Sequence, residues 1–399
     1  MKQTTVVVGA SIGGVRTAQG LRSAGYDGEI VLIGDEAVPP YDKPPLSKAV
    51  LAGTAPATEL LTESAAAQAG ITLLLGRAAR QLDLAAGRIV LADGEPVSYD
   101  SLVIATGARA RPSPWAGAPG VHVLRTLADA DRLRADLRGG GPLIVVGAGF
   151  IGAEVAATAR AMGVTEVTLV DPVPVPMSRA LSPEVAQRMA TLHRDHGVRT
   201  RFGTGVVGID EHADELVVRL ADGSALPARV VVVGIGAVPN DDWLAGSGLV
   251  IDDGVICDPH CQAVRAAGVY AVGDVARWHH PRLDRTVRVE HWTNAVEQAR
   301  CVAHNIARPA ERRAHDSVEY VWSDQYDWKI QLAGRTGDGL AGVLLPGPGD
   351  SFAVLYPDGD QRLTGAVTVN WPRALVAARR AITARDPLDQ VGAAIGALR

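Results

Sequence analysis

A glycine-rich stretch near the start of the chain has the spacing of a loop that binds a dinucleotide pyrophosphate. The apolar residues 6–8 lead into Gly9, Ser11 and Gly14, a G-x-G-x-x-G pattern with serine in the middle place, and Gly13 lies inside it. Gly9 permits a tight turn, Ser11 is small enough to let the backbone approach a phosphate, and Gly14 lets a helix pack closely on its strand. The predicted helix, from about residue 13 to residue 24, would point its positive N-terminus at the phosphates.

A second loop of the same kind follows the apolar residues 143–146. It consists of Gly147, Gly149 and Gly152, with Ile151 inside it, and here all three glycines of the pattern are present. The same physical argument applies to this loop, so the chain has two candidate sites for a dinucleotide pyrophosphate.

An acidic residue follows each loop at the distance expected of a ribose ligand. Asp35 and Asp171 come roughly 20–25 residues after their loops, each next to the end of a predicted strand. An acid at that place hydrogen-bonds a ribose hydroxyl. The alternative for Asp35 is a solvated acid in a turn.

The segments after the two loops repeat one plan. In each segment a short β meander with an Asp-Gly turn returns to a central strand that ends in a glycine motif. The two motifs are Ala105-Thr106-Gly107 and Gly234-Ile235-Gly236, and each closing glycine lies thirteen residues after the glycine of its Asp-Gly turn. Two copies of one plan are more specific than either loop alone, so they predict two Rossmann-like dinucleotide-binding domains.

The sequence therefore predicts an α/β chain with a C-terminal α+β domain. Residues 1–110 and 241–316 would form the first dinucleotide-binding domain, which also contains the motif Gly273-Asp274. Residues 111–240 would form the second such domain. Residues 317–399 would form the tail, with strands at 329–332, 352–356 and 365–369 and a helix around 375–382.

Composition excludes several classes of protein. The 399 residues are 47% hydrophobic and carry a net charge of -5 without a basic stripe, which argues against nucleic acid. The three cysteines, Cys257, Cys261 and Cys301, have neither disulfide-framework nor metal-site spacing. No uncharged apolar run is long enough to cross a bilayer, and the first strand leaves no room for a signal peptide. We expect a soluble cytoplasmic protein, a monomer or a weak dimer, with no metal site.

Taken together and in order, the motifs resemble those of FAD-dependent NADH:ferredoxin reductases of the putidaredoxin reductase and biphenyl dioxygenase reductase type. Those proteins have two dinucleotide-binding domains arranged as in glutathione reductase. The resemblance covers essentially the whole chain. Its specific parts are P-Y-D-K-P-P-L-S-K, A-T-G-A-R-A-R, V-L-R-T-L-A-D-A, G-A-G-F-I-G-A-E, V-G-I-G-A-V-P-N, V-Y-A-V-G-D-V-A and W-S-D-Q-Y.

The resemblance implies that FAD binds to the first copy. Asp35 would contact the adenosine ribose, Ala79 would lie near the adenine, Arg125 would offset phosphate charge, and Asp274 would hold the ribityl chain. Lys48 and Trp292 would border the isoalloxazine ring. The full implied set is Gly9, Ser11, Gly13, Gly14, Asp35, Lys43, Lys48, Ala79, Ala105, Thr106, Gly107, Arg111, Arg125, Gly273, Asp274 and Trp292.

It likewise implies that NADH binds to the second copy, at Gly147, Gly149, Ile151, Gly152, Glu154, Asp171, Gly234, Ile235 and Gly236. Asp171 would repel the 2′-phosphate of NADPH. The nearest base, Arg179, lies eight residues further on. NADH is therefore the expected nucleotide.

The implied chemistry is hydride transfer from nicotinamide to flavin. Lys48 and Glu154 would face the junction of the two rings as an ion pair, and Trp292 and Trp322 would inherit catalytic roles from the family. The alternatives are a surface lysine at a helix start, a solvent-facing helix acid and tryptophans that only pack. The chain departs from the family at Lys43, where arginine is commoner, and at His291, where a small hydroxyl residue is commoner.

The implied electron acceptor is a [2Fe-2S] ferredoxin that serves a cytochrome P450 or a ring-hydroxylating dioxygenase. Residues 35–48 contain no cysteine, which excludes a dithiol relay there, and three cysteines cannot ligate a cluster of the chain's own. Docking of an acidic ferredoxin would need a local basic patch. The expected patch consists of Arg277, Arg282, Arg285, Arg288, Arg300, Lys329 and Arg335. The alternative is that these residues are scattered solubilising charges.

Two other functions remain open from the sequence. One is a rubredoxin reductase or NADH oxidase, which differs only in its electron acceptor. The other is a non-catalytic flavoprotein that senses NADH. The complete second loop and Lys48 favour catalysis, and we expect an oxidoreductase of the ferredoxin–NAD(+) reductase type.

Overall fold

The computed structural model describes residues 2–175, 177, 180–212, 215–337 and 340–398. The chain divides into two compact units. Unit 1 comprises Met1–Asp42, Thr58–Arg109 and Ala237–Ser317, and unit 2 comprises Lys43–Ala57, Ala110–Gly236 and Val318–Arg399. The segment Lys43–Ala57 thus groups with the middle and the end of the chain, although the sequence assigned it to the first domain. The three-part domain division stays a prediction.

The helices of the described residues are α1 (Ile12–Ser23), α2 (Ala49–Ala52), α3 (Glu63–Gln68), α4 (Leu127–Arg138), α5 (Phe150–Ala161), α6 (Pro183–Asp195), α7 (Trp292–Ala307), α8 (Pro372–Ala384) and α9 (Leu388–Gly396). The strands are β1 (Thr4–Val8), β2 (Glu29–Ile33), β3 (Ile71–Leu74), β4 (Ala79–Asp83), β5 (Arg88–Leu91), β6 (Pro96–Ser98), β7 (Ser101–Ile104), β8 (Ala108–Ala110), β9 (Val121–His122), β10 (Leu143–Val146), β11 (Val167–Asp171), β12 (Arg199–Phe202), β13 (Val206–His212), β14 (Glu215–Leu220), β15 (Ala225–Ala228), β16 (Val230–Val233), β17 (Ala237–Pro239), β18 (Val255–Cys257), β19 (Val269–Ala271), β20 (Ala276–His280), β21 (Arg285–Arg288), β22 (Tyr320–Gln325), β23 (Trp328–Gly334), β24 (Val343–Pro346), β25 (Phe352–Pro357) and β26 (Leu363–Val369).

Unit 1 is built on a parallel sheet with the strand order β3-β2-β1-β7-β19. The central strand β1 is buried from residue 5 to residue 8, three of these four residues being valines, as expected of a parallel sheet that is covered on both faces. Val8 pairs with Ile33 and with Ile104. The carboxyl ends of β1, β2 and β7 therefore meet at one edge, where the first glycine loop and the motif after β7 leave the sheet. A meander, β4-β5-β6, joins β3 to β7.

Unit 2 contains a second parallel sheet with the order β12-β11-β10-β16-β9. Val146 pairs with Val170 and with Val233, just as Val8 pairs with two neighbours in unit 1. A meander, β13-β14-β15, again precedes the fourth strand. The predicted repeat of two Rossmann-like folds is confirmed.

The end of the chain, also in unit 2, forms an antiparallel sheet with the order β22-β23-β26-β25-β24. Helices α8 and α9 pack on it through an apolar cluster that includes Ala378, Ile382 and Ile395. The predicted strands and helix of the tail are present, and β22, β24 and α9 add to them. The α+β tail is confirmed.

Among the residues that the structure describes, none of the helices is both long enough and apolar enough to span a membrane.

Substitution of Gly152 tests how closely α5 approaches its loop. A Cβ at Gly152 would overlap the carbonyl oxygen of Gly147, whereas a Cβ at Gly392 in α9 meets nothing within 4 Å. We expect Gly152→Ala to destabilise the protein by roughly 1–3 kcal/mol, as overpacking does. The control Gly392→Ala should be neutral or stabilise by up to about 1 kcal/mol, because alanine favours helix. Urea denaturation measures both, and equal midpoints for the two variants would contradict the packing argument.

Candidate functional site

The first glycine loop has no room for side chains at its tightest points. Gly9 has a φ of +113°, and a Cβ there would overlap the carbonyl oxygen of Ala105. A Cβ on Gly14 would overlap the carbonyl oxygen of Gly9. The loop is thus closed against the motif after β7, and α1 begins directly behind it.

The second loop reproduces this geometry in unit 2. Gly147 has a φ of +99°, and a Cβ there would overlap the carbonyl oxygen of Gly234. A Cβ on Gly152, in the first turn of α5, would overlap the carbonyl oxygen of Gly147, just as a Cβ on Gly14 in α1 would overlap that of Gly9. At Gly149, by contrast, a Cβ would meet nothing within 4 Å, so the outer face of the loop is open.

The helix starts behind both loops suit a phosphate. The residues that precede α1 and α5 are Ser11 and Gly149, and neither provides a side-chain cap. The residue before each helix therefore gives the first backbone N–H groups no side-chain acceptor, and an anion at the helix N-terminus would supply one. Beside the second loop, Ile151 and Ile235 are 46% and 37% exposed, which gives a bound nucleotide an apolar contact.

The two candidate ribose acids are held differently. Asp171 ends β11, and its two carboxylate oxygens accept hydrogen bonds from the backbone N–H groups of Ala148 and Val173, each at 2.8 Å. The carboxylate is thereby fixed against the second glycine loop. Asp35 is exposed, and it accepts a hydrogen bond from the N–H of Glu36 at 3.0 Å. Arg179, the predicted nearby base, lies outside the described residues.

Asn240 fastens the motif after β7 in unit 1. Its side-chain N–H donates to the carbonyl of Thr106 at 3.0 Å, and its backbone N–H donates to the carbonyl of Gly107 at 2.9 Å. The Thr106 hydroxyl donates back to the carbonyl of Asn240 at 2.7 Å. Ala105 is buried next to this pair. Sequence reasoning missed Asn240, although it closes the V-G-I-G-A-V-P-N motif.

The other predicted FAD residues of unit 1 each have a defined setting. Gln298 is fully buried and accepts from the N–H of Gly273 at 2.7 Å, while its own amide nitrogen is a buried donor with no partner among the described residues. The backbone carbonyl of Asp274 accepts from Arg288 at 3.2 Å. The Trp292 ring N–H donates to Asp42 at 2.7 Å. Ala79 lies at the start of β4 beside a bulge.

Lys43, Arg111, Arg125 and Trp322 belong to unit 2. The Lys43 ammonium approaches the carbonyl of Arg125 at 3.5 Å, and the N–H of Arg111 donates to the carbonyl of Gly236 at 2.9 Å. Trp322 stacks on Tyr320, with 6.0 Å between ring centroids. Unit 2 therefore groups Lys43 with Arg125, two residues that the sequence assigned to a phosphate-bearing ligand.

Lys48 and Glu154 form the predicted ion pair, with 2.6 Å between the ammonium and Oε2. Glu154 lies on α5 and is only 3% exposed. The Ser47 hydroxyl donates to Oε2 at 2.5 Å and the Ser323 hydroxyl donates to Oε1 at 2.6 Å. The alternative of a solvent-facing acid is therefore wrong for Glu154. Both serines lie in quoted motifs, yet neither was singled out from the sequence.

The expected basic patch is partly neutralised in unit 1. Arg277 pairs with Asp252 at 2.6 Å, Arg282 pairs with Asp316 at 3.3 Å, and Arg288 pairs with acids on both of its sides, Asp253 and Glu290. These three arginines do not contribute the uncompensated positive charge that the sequence predicted for them.

The family of the chain follows from comparison with known proteins. Residues 3–299 match the family described as pyridine nucleotide-disulphide oxidoreductase, and residues 320–395 match the one described as reductase C-terminal. The chain is 38% identical over 396 residues to putidaredoxin reductase of Pseudomonas putida, which covers 96% of this chain and 92% of that protein. It is also 38% identical to the ferredoxin–NAD(+) reductase component of the p-cumate 2,3-dioxygenase system of Pseudomonas putida, over 96% of this chain and 94% of that one.

Solved structures agree with the sequence comparison. The covalent complex of putidaredoxin reductase with putidaredoxin contains a chain that matches with a TM-score of 0.91 and 36% identity, over 99% of both chains. A likeness of this extent covers both glycine loops and the C-terminal sheet.

Two buried histidines should make the protein less stable in mild acid. Burial lowers the pKa of His193 and the pKa of His315 to about 4 each. The unfolded chain therefore binds these protons first, so the stabilisation is complete above about pH 6.5 and is lost as the pH falls towards 4. Each histidine should cost about 1.4 kcal/mol per pH unit in that window.

The variant His315→Gln tests this, because glutamine removes the titration and can still donate to Asn294, which bonds His315 Nε2 at 3.0 Å. Urea denaturation at about pH 7 and about pH 5 should show a smaller loss of stability for this variant than for the wild type. The control is His212→Gln, because His212 is exposed on β13. An equal loss in the wild type and His315→Gln would contradict the role of burial.

Proposed function

Because this chain belongs to the pyridine nucleotide-disulphide oxidoreductase family, we propose that it is an NADH-dependent flavoprotein that reduces a [2Fe-2S] ferredoxin. That ferredoxin in turn serves a cytochrome P450 or a ring-hydroxylating dioxygenase. The observation that carries the proposal is the full-length likeness to ferredoxin reductases, including the C-terminal sheet that they share.

The cofactors of the family, FAD and NADH, fit the two loops. In unit 1 the FAD residues would be the Gly9–Gly14 loop, Asp35, the motif after β7 and Asp274, and the buried Gln298 amide offers a donor beside Gly273. In unit 2 the NADH residues would be the second loop and Asp171. FAD supplies a group that accepts a hydride and releases electrons singly. One NADH thus reduces two ferredoxins, with release of NAD⁺ and one proton.

The chain's own residues would orient the nicotinamide. Glu154 is buried on α5, two residues beyond Gly152 of the NADH loop, and it pairs with Lys48 from the segment before α2. Fixed charges at that place can hold a carboxamide and a ring in one orientation, which shortens the search for the reactive geometry. Lys48 and Glu154 are assigned this role, and Trp292 and Trp322 are assigned contacts with the reacting rings.

A cytoplasmic location belongs to this proposal. The reaction draws on NADH and ferredoxin, and Cys257, Cys261 and Cys301 are all free thiols, as expected in a reducing compartment.

The function is tested by NADH turnover with purified ferredoxin and cytochrome c as the final acceptor. We expect cytochrome c reduction that requires both the protein and a [2Fe-2S] ferredoxin. Equal activity with oxygen alone would indicate an NADH oxidase, and activity with rubredoxin but not ferredoxin would indicate a rubredoxin reductase. A protein that binds FAD and NADH without turnover would be a sensor.

Asp171 should set the preference for NADH over NADPH. A fixed carboxylate against the loop repels a 2′-phosphate, so Asp171→Asn should reduce the ratio of kcat/KM for the two nucleotides by roughly tenfold, which is about 1.4 kcal/mol. Steady-state kinetics with both nucleotides measures the ratio. Glu215→Gln, which removes an exposed acid of the same unit, is the control. A wild-type ratio near one would count against the assignment.

Glu154→Gln should weaken the handling of NADH and leave FAD bound. Glutamine keeps two hydrogen-bonding atoms but loses the charge that pairs with Lys48, so the rate of flavin reduction at low NADH should fall by roughly tenfold. Anaerobic stopped-flow absorbance measures it, and Glu166→Gln removes an exposed acid that pairs with Arg199 as the control. Unchanged reduction kinetics in Glu154→Gln would make Glu154 a structural residue only.

A further inference from the structure

We propose that Ser323, Gln325 and His193 are positioning residues for Glu154, forming a buried hydrogen-bond chain that fixes its carboxylate for the reaction with NADH. The inference deepens the proposed function and rests on it. All four residues belong to unit 2.

The half of the hydrogen-bond chain that is nearer to Glu154 runs along one strand. The Ser323 hydroxyl donates to Oε1 of Glu154 at 2.6 Å, and the Gln325 amide nitrogen donates to the Ser323 hydroxyl oxygen at 3.1 Å. Both residues lie on β22, two positions apart, and side chains at that spacing point to the same face of a sheet. Their alternation with Trp322 and Asp324 therefore turns both polar side chains towards α5.

The half of the hydrogen-bond chain that is farther from Glu154 comes from α6 and the turn after β22. Nε2 of His193 lies 3.1 Å from Oε1, the side-chain amide oxygen of Gln325, and Nδ1 of His193 lies 2.9 Å from the Tyr326 hydroxyl. The Tyr326 ring stacks on His196, with 3.8 Å between centroids. His193 is thus held at both ring nitrogens.

The direction of every bond in the chain follows from its Glu154 end. A carboxylate only accepts, so the Ser323 hydroxyl must donate to it and must itself accept from Gln325. The side-chain amide oxygen of Gln325 then faces His193. Nε2 of His193 therefore carries the proton, and Nδ1 of His193 accepts a hydrogen bond from the Tyr326 hydroxyl. Burial lowers the pKa of His193 to about 4, and a neutral imidazole provides just this one donor and one acceptor.

All the hydrogen bonds therefore point the same way, from Tyr326 through His193, Gln325 and Ser323 to Glu154. Hydrogen bonds aligned in this manner polarise one another, and they are stronger where water is excluded. Ser323 and Gln325 are fully buried, and His193 and Glu154 are 2% and 3% exposed. Loss of one hydrogen bond within this chain should consequently weaken the hydrogen bond that Ser323 donates to the Glu154 carboxylate.

The hydrogen-bond chain holds one carboxylate oxygen of Glu154, while Lys48 and Ser47 hold the other. Oε2 accepts from both of these residues and Oε1 accepts from Ser323. Without Ser323 the carboxylate could rotate about its ion pair with Lys48. The structure thereby assigns the serine and the glutamine of the W-S-D-Q-Y motif a part in the reaction rather than in packing alone.

The test is anaerobic stopped-flow reduction of the FAD-bound protein by NADH, in variants that cut the chain at successive bonds. We expect Ser323→Ala to raise the NADH concentration for half-maximal rate by roughly tenfold, and the isosteric Gln325→Met to raise it by roughly threefold. Ser323→Thr keeps the hydroxyl and should restore near wild-type behaviour. The matched control is Thr368→Val, since Thr368 is a fully buried hydroxyl in the same sheet whose oxygen has no hydrogen-bond partner among the described residues.

A double-mutant cycle separates positioning from packing. If Ser323 acts through Glu154, Ser323→Ala should have no further effect on NADH in the Glu154→Gln background. The inference is overturned if Ser323→Ala and Gln325→Met behave like Thr368→Val, or if Ser323→Ala has its full effect without Glu154. If Ser323→Ala loses FAD, Gln325→Met takes its place in the cycle. Gln325→Met should then likewise have no further effect on the reaction with NADH in the Glu154→Gln background.

Failure of the inference is distinct from failure of the proposed function. Normal flavin reduction in the wild type, with no difference among the variants, overturns the inference alone. A wild-type flavin that NADH does not reduce overturns the proposed function and this inference together.

Discussion

The buried carboxylate of Glu154 is the contact on which the arrangement of unit 2 depends. It joins three distant parts of the chain, because the carboxylate on α5 binds Ser47 and Lys48 from the segment before α2 and Ser323 on β22. A carboxylate removed from water costs several kcal/mol unless its partners are in place. Those three segments must therefore assemble together, which explains why Lys43–Ala57 groups with unit 2 and not with the sheet that precedes it.

The two glycine loops show how one solution to phosphate binding is used twice. In both copies the turn at the end of the first strand touches the motif that ends the fourth strand, and the helix start touches the turn. The same contacts recur although the surrounding residues differ, because a Cβ at Gly9 or Gly14, or at Gly147 or Gly152, would clash with the backbone. The copies differ in the acid: Asp171 is fixed by two backbone amides, whereas Asp35 is exposed.

Short-range sequence patterns predicted most of the fold. Glycine spacing, apolar runs and turn residues predicted both parallel sheets, and the order of the motifs indicated a family that the comparisons confirm. The ion pair between Lys48 and Glu154 was expected only through the resemblance. Strand β22 was not predicted, because its polar residues Ser323 and Gln325 look like a loop until their partners are known.

Long-range contacts set the limit of that prediction. His193 and Gln325 are 132 positions apart, and no local pattern marks either as a partner of the other. Part of the basic patch was misjudged for the same reason, since Arg282 pairs with Asp316, 34 positions away, and Arg277 pairs with Asp252, 25 positions away. Roles of individual site residues, and the boundaries of the three predicted domains, stay predictions.

The central claim is that the protein moves electrons from NADH to a ferredoxin through its flavin, and one anaerobic titration follows both halves. The yellow absorbance of the FAD-bound protein is recorded while one equivalent of NADH is added, and oxidised [2Fe-2S] ferredoxin is then added stepwise. The account predicts that the flavin absorbance is lost with NADH and recovers fully as two equivalents of ferredoxin become reduced. A flavin that NADH leaves yellow, or one that stays bleached in the presence of ferredoxin, would contradict it.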